Sequence, residues 1–272
     1  MWLFLILLAQ AAPAAQNGNQ PVEPFRIIRN IYYVGASDVT AYLIATPKGH
    51  ILIDGGFPET APMILDNVRK LGFDPHEIRI LLNSHAHFDH AGGLAAIKAA
   101  TGATFIASEG DAPLLARGGK DDPQFGDVFP FPPITPDKLA RDGDHVALGG
   151  SILTAHITPG HTRGCTTWTM TVRERGKSYD VVFVGSPSAP SQYKLVDNPR
   201  YPDAVADYRR TFAVLKSLPC DVFLGSHGSF FDLAGKMKHL GEKRNPFIDP
   251  IGYKKFVADM ESAFEKRVKS DE

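Results

Sequence analysis

Three histidines and an aspartate fall within six residues, His85-Ala86-His87-Phe88-Asp89-His90, straight after the apolar run Ile80-Leu81-Leu82. Neutral imidazole and carboxylate are suited to Zn2+, which they bind at about 2.0–2.2 Å. In an extended or turning segment, residues i and i+2 point to the same side, so His85 and His87 can share one ion. Asp89 and His90 come after the chain has turned into a helix entered at Gly92, and can face a second ion beside the first. Two ions need further protein ligands. His161, in a "TPGHT" turn after the run "SILTAHIT", and His227, in "LGSHG" after "CDVFL", repeat the placement of the first cluster at the end of an apolar strand. A lone HxH carries little weight, but HxHxDH followed by two strand-end histidines is a strong signal. The other five of the ten histidines lack that placement. His50 reads as a hairpin-turn residue, His76, His145 and His239 sit in polar surroundings, and His156 lies within a strand in a structural role.

The elements that must position this set alternate along the chain. "FRIIRNIYYVG", "TAYLIATPKGHILIDGG" and "RILLNSH" are apolar, β-branched runs, with Pro47 to Gly49 as a tight hairpin turn. Ile64, Leu65, Val68 and Leu71 share one helical stripe, stopped by Gly72. "GGLAAIKAATG" is a second helix and "TFIAS" a strand. Residues 110–137, rich in Pro, Gly and Asp, form a long irregular excursion of the kind that is functional or disordered. Strands resume with "GGSILTAHIT", "GCTTWTMTVRE", "YDVVFVGS" and "CDVFLGSH". Amphipathic helices follow Asp203 and occupy the C-terminal end, where Phe256, Met260 and Phe264 recur every four residues. Mixed elements in this order predict sheets covered by helices, an α/β or α+β layered domain.

Composition narrows the function. Hydrophobic residues make up 43% and charged residues 22% of the 272-residue chain, an ordinary balance that can bury a sizeable core. The net charge is -1, and no basic stripe suggests nucleic acid. A small-molecule substrate is expected. At the N-terminus the apolar run Trp2 to Ala9, followed by small residues, reads as a secretory signal peptide at residues 1–15, cleaved between Ala11 and Ala15. The run is far short of the roughly 20 apolar residues of a membrane span. An exported, periplasmic protein with one domain over residues 16–272 and no membrane anchor is expected, working as a monomer.

"HAHFDHAGG", "PGHT" around His161, "GSH" around His227 and "ILIDGG" with Asp54 together resemble the metallo-β-lactamase superfamily over nearly the whole chain after the signal peptide. That resemblance implies the four-layer αβ/βα sandwich, with a two-metal site at the edge between the sheets. Superfamily thioesterases and lactonases place a bridging Asp after a later strand, where this chain has Ser186. True class B β-lactamases lack that Asp, and their third subclass has serine there. "LLARGGKDDPQFGD" and "SPSAPSQYKLVDNPRYPDAVADYRRTF" are similar to that third subclass, B3. By resemblance, one zinc is held by His85, His87 and His161, and a second by Asp89, His90 and His227. Ser186 and Ser188 match serines that help hold the substrate carboxylate.

The activity so implied is hydrolysis of a β-lactam amide. Zinc lowers the pKa of a bound water from 15.7 to about 7, which makes hydroxide available to attack the carbonyl carbon. Asp89 can orient that nucleophile by a hydrogen bond, and Ser84 and Thr162 can fix imidazoles. Phe125, Phe129 and Tyr32 are candidates for the cleft wall. A hydrolase of the same fold acting on a lactone or thioester is the alternative. Cys220 begins the strand that ends near His227, roughly 23 Å away at about 3.3 Å per residue, while Cys165 lies close to His161. A disulfide needs Cα atoms about 4.4–6.8 Å apart, so both cysteines should be free and Cys220 buried.

Overall fold

The computed structural model describes residues 18–271, so the signal segment at 1–15 lies outside the described residues. Twelve strands are found among them: β1 Phe25–Ile28, β2 Ile31–Tyr33, β3 Tyr42–Thr46, β4 Gly49–Ile53, β5 Ile78–Leu82, β6 Thr104–Ser108, β7 Lys138–Ala140, β8 His145–Leu148, β9 Ser151–Ile157, β10 Thr166–Glu174, β11 Lys177–Val184 and β12 Val222–Gly225. The helices are α1 Ala61–Lys70, α2 Phe88–Ala91, α3 Leu94–Thr101, α4 Ala112–Ala116, α5 Ala204–Ser217, α6 Leu233–Met237 and α7 Pro250–Asp271.

The strands form two sheets. One holds β1 to β7 in chain order, and the other runs β12-β11-β10-β9-β8. From β4 to β7 the pairing is parallel, as is β11 with β12. Strand sequences follow from this packing. All five residues of β4, Gly49-His50-Ile51-Leu52-Ile53, are buried, as expected of an interior strand covered on both faces, antiparallel to β3 and parallel to β5. In β10, Trp168, Met170 and Val172 enter the core between the sheets, while Thr169 and Thr171 alternate outward. Ile64, Leu65 and Val68 of α1 and Leu94 and Ile97 of α3 cover the outer face of the first sheet. Tyr208, Phe212 and Leu215 of α5 join Tyr253, Val257 and Phe264 of α7 in the larger core. The expected four-layer sandwich is therefore the fold. Among the described residues no helix is long and apolar enough to cross a membrane.

Three sequence expectations change here. His50 is not in the hairpin turn, because the loop is only Pro47-Lys48 and β4 starts at Gly49. His50 is buried inside β4, edge-on to Phe73 at 4.9 Å. Tyr32 also packs edge-on against Phe73, at 5.0 Å, beside the cluster that α1 and α3 cover. The alternation of β2 puts Tyr32 on that side and Tyr33 in the core between the sheets. The cysteines are both free, Cys165 buried and Cys220 only half-buried.

Candidate metal centre

The loops that follow β4, β5, β6, β9, β11 and β12 all leave C-terminal strand ends and meet at one edge of the sandwich. They bring Asp54, His85 and His87, Asp111, His161, Ser186 and His227 together from across the chain. Hydrogen bonds to backbone carbonyls lock the two sheets at this point. Thr166 N donates to Ser84 O at 2.7 Å, and Trp168 Nε1 donates to Asn83 O at 3.1 Å. Tyr42 Oη donates to Gly225 O at 2.6 Å, just before His227. Asp89 and His90 lie in the single turn α2, which starts at Phe88, earlier than the Gly92 entry expected.

Six side chains converge as two sets. His87 Nδ1 and His161 Nε2 are 3.1 Å apart, and His85, His87 and His161 each offer a ligand atom within 4.8 Å of the others. In the second set, His90 Nε2 is 3.2 Å from His227 Nε2 and 3.2 Å from Asp89 Oδ2, which is 3.6 Å from His227 Nε2. His85 also lies within 4.8 Å of the ligand atoms of Asp89 and His90, so the sets abut.

Each imidazole has an outer partner on the nitrogen that faces away from its set. Ser84 Oγ meets His85 Nδ1 at 3.0 Å. His87 Nε2 faces Asp122 Oδ2 at 3.5 Å, and His90 Nδ1 faces Asp54 Oδ2 at 3.6 Å. His161 Nδ1 bonds Ser188 O at 2.8 Å, and His227 Nδ1 bonds Asp38 Oδ2 at 3.0 Å. A carbonyl or carboxylate oxygen can only accept, so the outer nitrogens of His161 and His227 carry a proton and their inner ones are bare lone pairs, while His87 and His90 turn the same way toward Asp122 and Asp54 at longer range, without a hydrogen bond. Bare nitrogens facing each other at 3.1 Å repel unless a cation lies between them. Ligands about 2.0–2.1 Å from a tetrahedral ion sit roughly 3.3 Å apart, which is the spacing found. His85 Nε2 is buried with no hydrogen-bond partner. The donors therefore fit zinc in both sets.

The electrostatics agree. Burial, with the neighbouring imidazoles, pushes His85 and His161 well below the usual histidine range, so both are neutral, as ligands must be. Burial alone would protonate Asp89, but His90 and His227 hold its carboxyl below the usual range. Burial also disfavours a charged His90, yet Asp89 and Asp54 outweigh it and push the imidazole up to about 10.

Ser84 meets an imidazole as expected, but Thr162 does not. Its Oγ1 donates to Asp111 Oδ2 at 2.7 Å. Asp111 is buried and also accepts from Ala86 N at 2.9 Å and Gly164 N at 2.7 Å. It thereby clamps the His85–His87 loop to the His161 turn. A Cβ on Gly164 would fall 2.1 Å from Ser108 Oγ and 2.2 Å from Asp111 N, so only glycine allows this approach. Ser186 is buried and its Oγ is 3.0 Å from Ser188 Oγ, which is half-buried and 3.4 Å from His161 Nδ1. Phe125 packs against His87 at 5.2 Å, and Phe129 stacks on Phe88 at 4.6 Å. Asp38, Asp111 and Asp122 were not singled out from the sequence. Each lies far in the chain from the group it holds, and the irregular 110–137 excursion points only to the stretch of Asp111 and Asp122.

Residues 34–227 match the family described as the metallo-beta-lactamase superfamily. Among solved structures the chain is similar to the native FEZ-1 metallo-beta-lactamase from Legionella gormanii, at 45% identity and a TM-score of 0.91, covering 93% of this chain and 98% of that one. It is also similar to the class B3 di-zinc metallo-beta-lactamase LRA-12 from an Alaskan soil metagenome, at 35% identity and a TM-score of 0.88, covering 93% and 98%. A hydroxyacylglutathione hydrolase from Rhodospirillum rubrum is 36% identical over 107 residues, 39% of this chain. The chain spans only 34% of that protein's length, and about half the length of the N-acyl homoserine lactonase of Bacillus sp. that it matches. With two-thirds of its length matched by the family and its whole fold shared with solved members, this chain belongs to the metallo-beta-lactamase superfamily, and its full-length structural relatives include class B3 lactamases.

Proposed function

We propose that this protein is a zinc-dependent β-lactamase of the B3 type, exported to the periplasm and active as a monomer. One observation carries the reading. The chain shares 45% identity with FEZ-1 over 98% of that enzyme, and it presents two abutting sets of inward-facing donors with serine, not a bridging carboxylate, at position 186. His85, His87 and His161 would hold one zinc, and Asp89, His90 and His227 the other. Bound zinc supplies a nucleophilic water at neutral pH and a charge sink for a carbonyl oxygen.

The chain's own residues then have distinct tasks. Ser84, Asp122, Asp54, Ser188 and Asp38 fix the tautomer and tilt of the five imidazoles, so the site is organised before substrate arrives. Asp89 stays ionised through neutral pH and can accept a hydrogen bond from the attacking water, turning its lone pair toward the substrate carbonyl. The hydroxyls of Ser186 and Ser188 offer donors to the carboxylate that β-lactams carry beside the ring nitrogen. Phe125 and Phe129 form an apolar wall that shields the reacting amide from bulk water.

The test is hydrolysis of a penicillin and a carbapenem by the mature, zinc-loaded protein, with and without a chelator, beside a homoserine lactone and a glutathione thioester. Chelator-sensitive ring opening of the β-lactams is expected. Turnover of the lactone or thioester alone would replace this reading with another hydrolase of the superfamily.

A further inference from the structure

Three backbone carbonyls next to Ser188 point at one guanidinium from the far end of the chain. Arg267 Nη1 donates to Ala189 O at 3.0 Å and Pro190 O at 2.5 Å, and Nη2 donates to Tyr193 O at 2.9 Å. Arg267 lies on α7, where Asp271 Oδ2 faces its Nη2 at 3.5 Å. Ion pairs Arg209–Glu265 and Lys216–Glu261, at 2.9 and 2.7 Å, tie α7 to α5. The guanidinium is thus mounted on a rigid helix pair.

The segment it grips has few internal backbone bonds, among them Tyr193 N to Pro190 O at 2.9 Å and Tyr201 N to Asn198 O at 3.1 Å. Residues 185–203, between β11 and α5, contain no helix or strand, and Pro187, Pro190, Pro199 and Pro202 remove four amide donors. Yet this segment supplies much of the rim of the metal centre. Ser188 O takes the His161 Nδ1 proton and a second bond from Tyr208 Oη at 2.7 Å. Tyr193 stacks on His161 at 5.5 Å and its Oη donates to His161 O at 3.2 Å. An arginine suits the task because its planar fork presents five donors and keeps its charge. A lysine ammonium at the same place could not span carbonyls four residues apart with the same directions.

We infer that Arg267 is a positioning residue for substrate recognition: by fixing the carbonyls of Ala189, Pro190 and Tyr193 it sets where the Ser186 and Ser188 hydroxyls meet the substrate carboxylate. This rests on the β-lactam reading proposed above. Its consequence is specific. Loss of the clamp weakens binding of the carboxylate and leaves the hydrolytic step and the metal ligands in place, because the His161 turn keeps its own bonds, Gly160 N to Thr162 O at 2.9 Å and Thr211 Oγ1 to Pro159 O at 2.6 Å.

The experiment compares wild type, Arg267→Lys and Arg267→Ala, all full-length and zinc-loaded, on a penicillin and on its methyl ester. For Arg267→Ala, KM for the free acid is expected to rise about tenfold with kcat within about twofold, and KM for the ester to stay at the wild-type value. Arg267→Lys falls between. In parallel, hydrogen exchange over peptides spanning 185–195 is expected to speed up in Arg267→Ala with zinc content unchanged. Unchanged exchange there, or equal losses on acid and ester, overturns the inference. If Arg267→Ala does not fold, Arg267→Lys carries both readouts. A wild type inactive on every β-lactam defeats the functional reading instead, and the exchange result alone then decides whether Arg267 holds the segment.

Discussion

His87 turns Nε2 toward Asp122 Oδ2 at 3.5 Å, and both side chains are buried. The consequence is that His87 presents Nδ1 to the centre, while His85, His90, His161 and His227 present Nε2. A loop carboxylate thus chooses the donor atom. Asp122 itself is held in place by Gln124 N and Phe125 N, each at 2.7 Å. Burial opposes its ionisation, but His87 and those two amides keep its carboxyl below the usual range.

Asp122→Ala should therefore weaken zinc binding at the first set by about 10–100-fold, the usual cost of losing an outer partner of a ligating histidine. Competition against a chromophoric chelator measures it. Wild-type affinity in the variant would mean that Asp122 does not orient His87.

His227→Ala should lose one zinc and retain the other, because His227 meets only the Asp89–His90 set. Metal analysis after dialysis reads the stoichiometry. Loss of both ions, or of neither, contradicts the division into two sets.

Zinc uptake should release protons. His90, pushed up to about 10 by Asp89 and Asp54 against its burial, keeps its proton through neutral pH when no metal is bound. A metal ion must displace that proton. Affinity at the second set should then fall as pH falls and rise with pH, by about tenfold per unit for one proton displaced. Calorimetry of zinc binding in buffers of different ionisation enthalpy counts the protons, and none released would refute the assignment.

Asp111→Ala should destabilise the fold by on the order of 3 kcal/mol, since it strands Ala86 N, Thr162 Oγ1 and Gly164 N in the interior. Urea denaturation of the metal-free protein separates this effect from metal binding. A change under about 0.5 kcal/mol, typical of surface substitutions, would show that water satisfies those donors.

The order of elements was largely legible, because strand and helix periodicities are local. The errors were local too. Pro47-Lys48-Gly49 before His50 suggests a turn there, but a two-residue loop leaves Gly49 and His50 inside β4. The place of Thr162 beside His161 in the sequence suggests an imidazole partner. Its real partner, Asp111, lies 51 residues away.

Residue types and local periodicity already point to a cluster of metal-binding side chains. Spacing within "HAHFDH", and the repeated placement of His161 and His227 at strand ends, depend only on residue type and on strand and helix periods. Which nitrogen each histidine turns inward, and what holds it there, depends on the packing of distant segments. Asp38, Asp54, Asp111, Asp122 and Arg267 reach their partners across loops from both sheets and from α7. A side chain's orientation is set by what packs behind it, and those neighbours are distant in the chain.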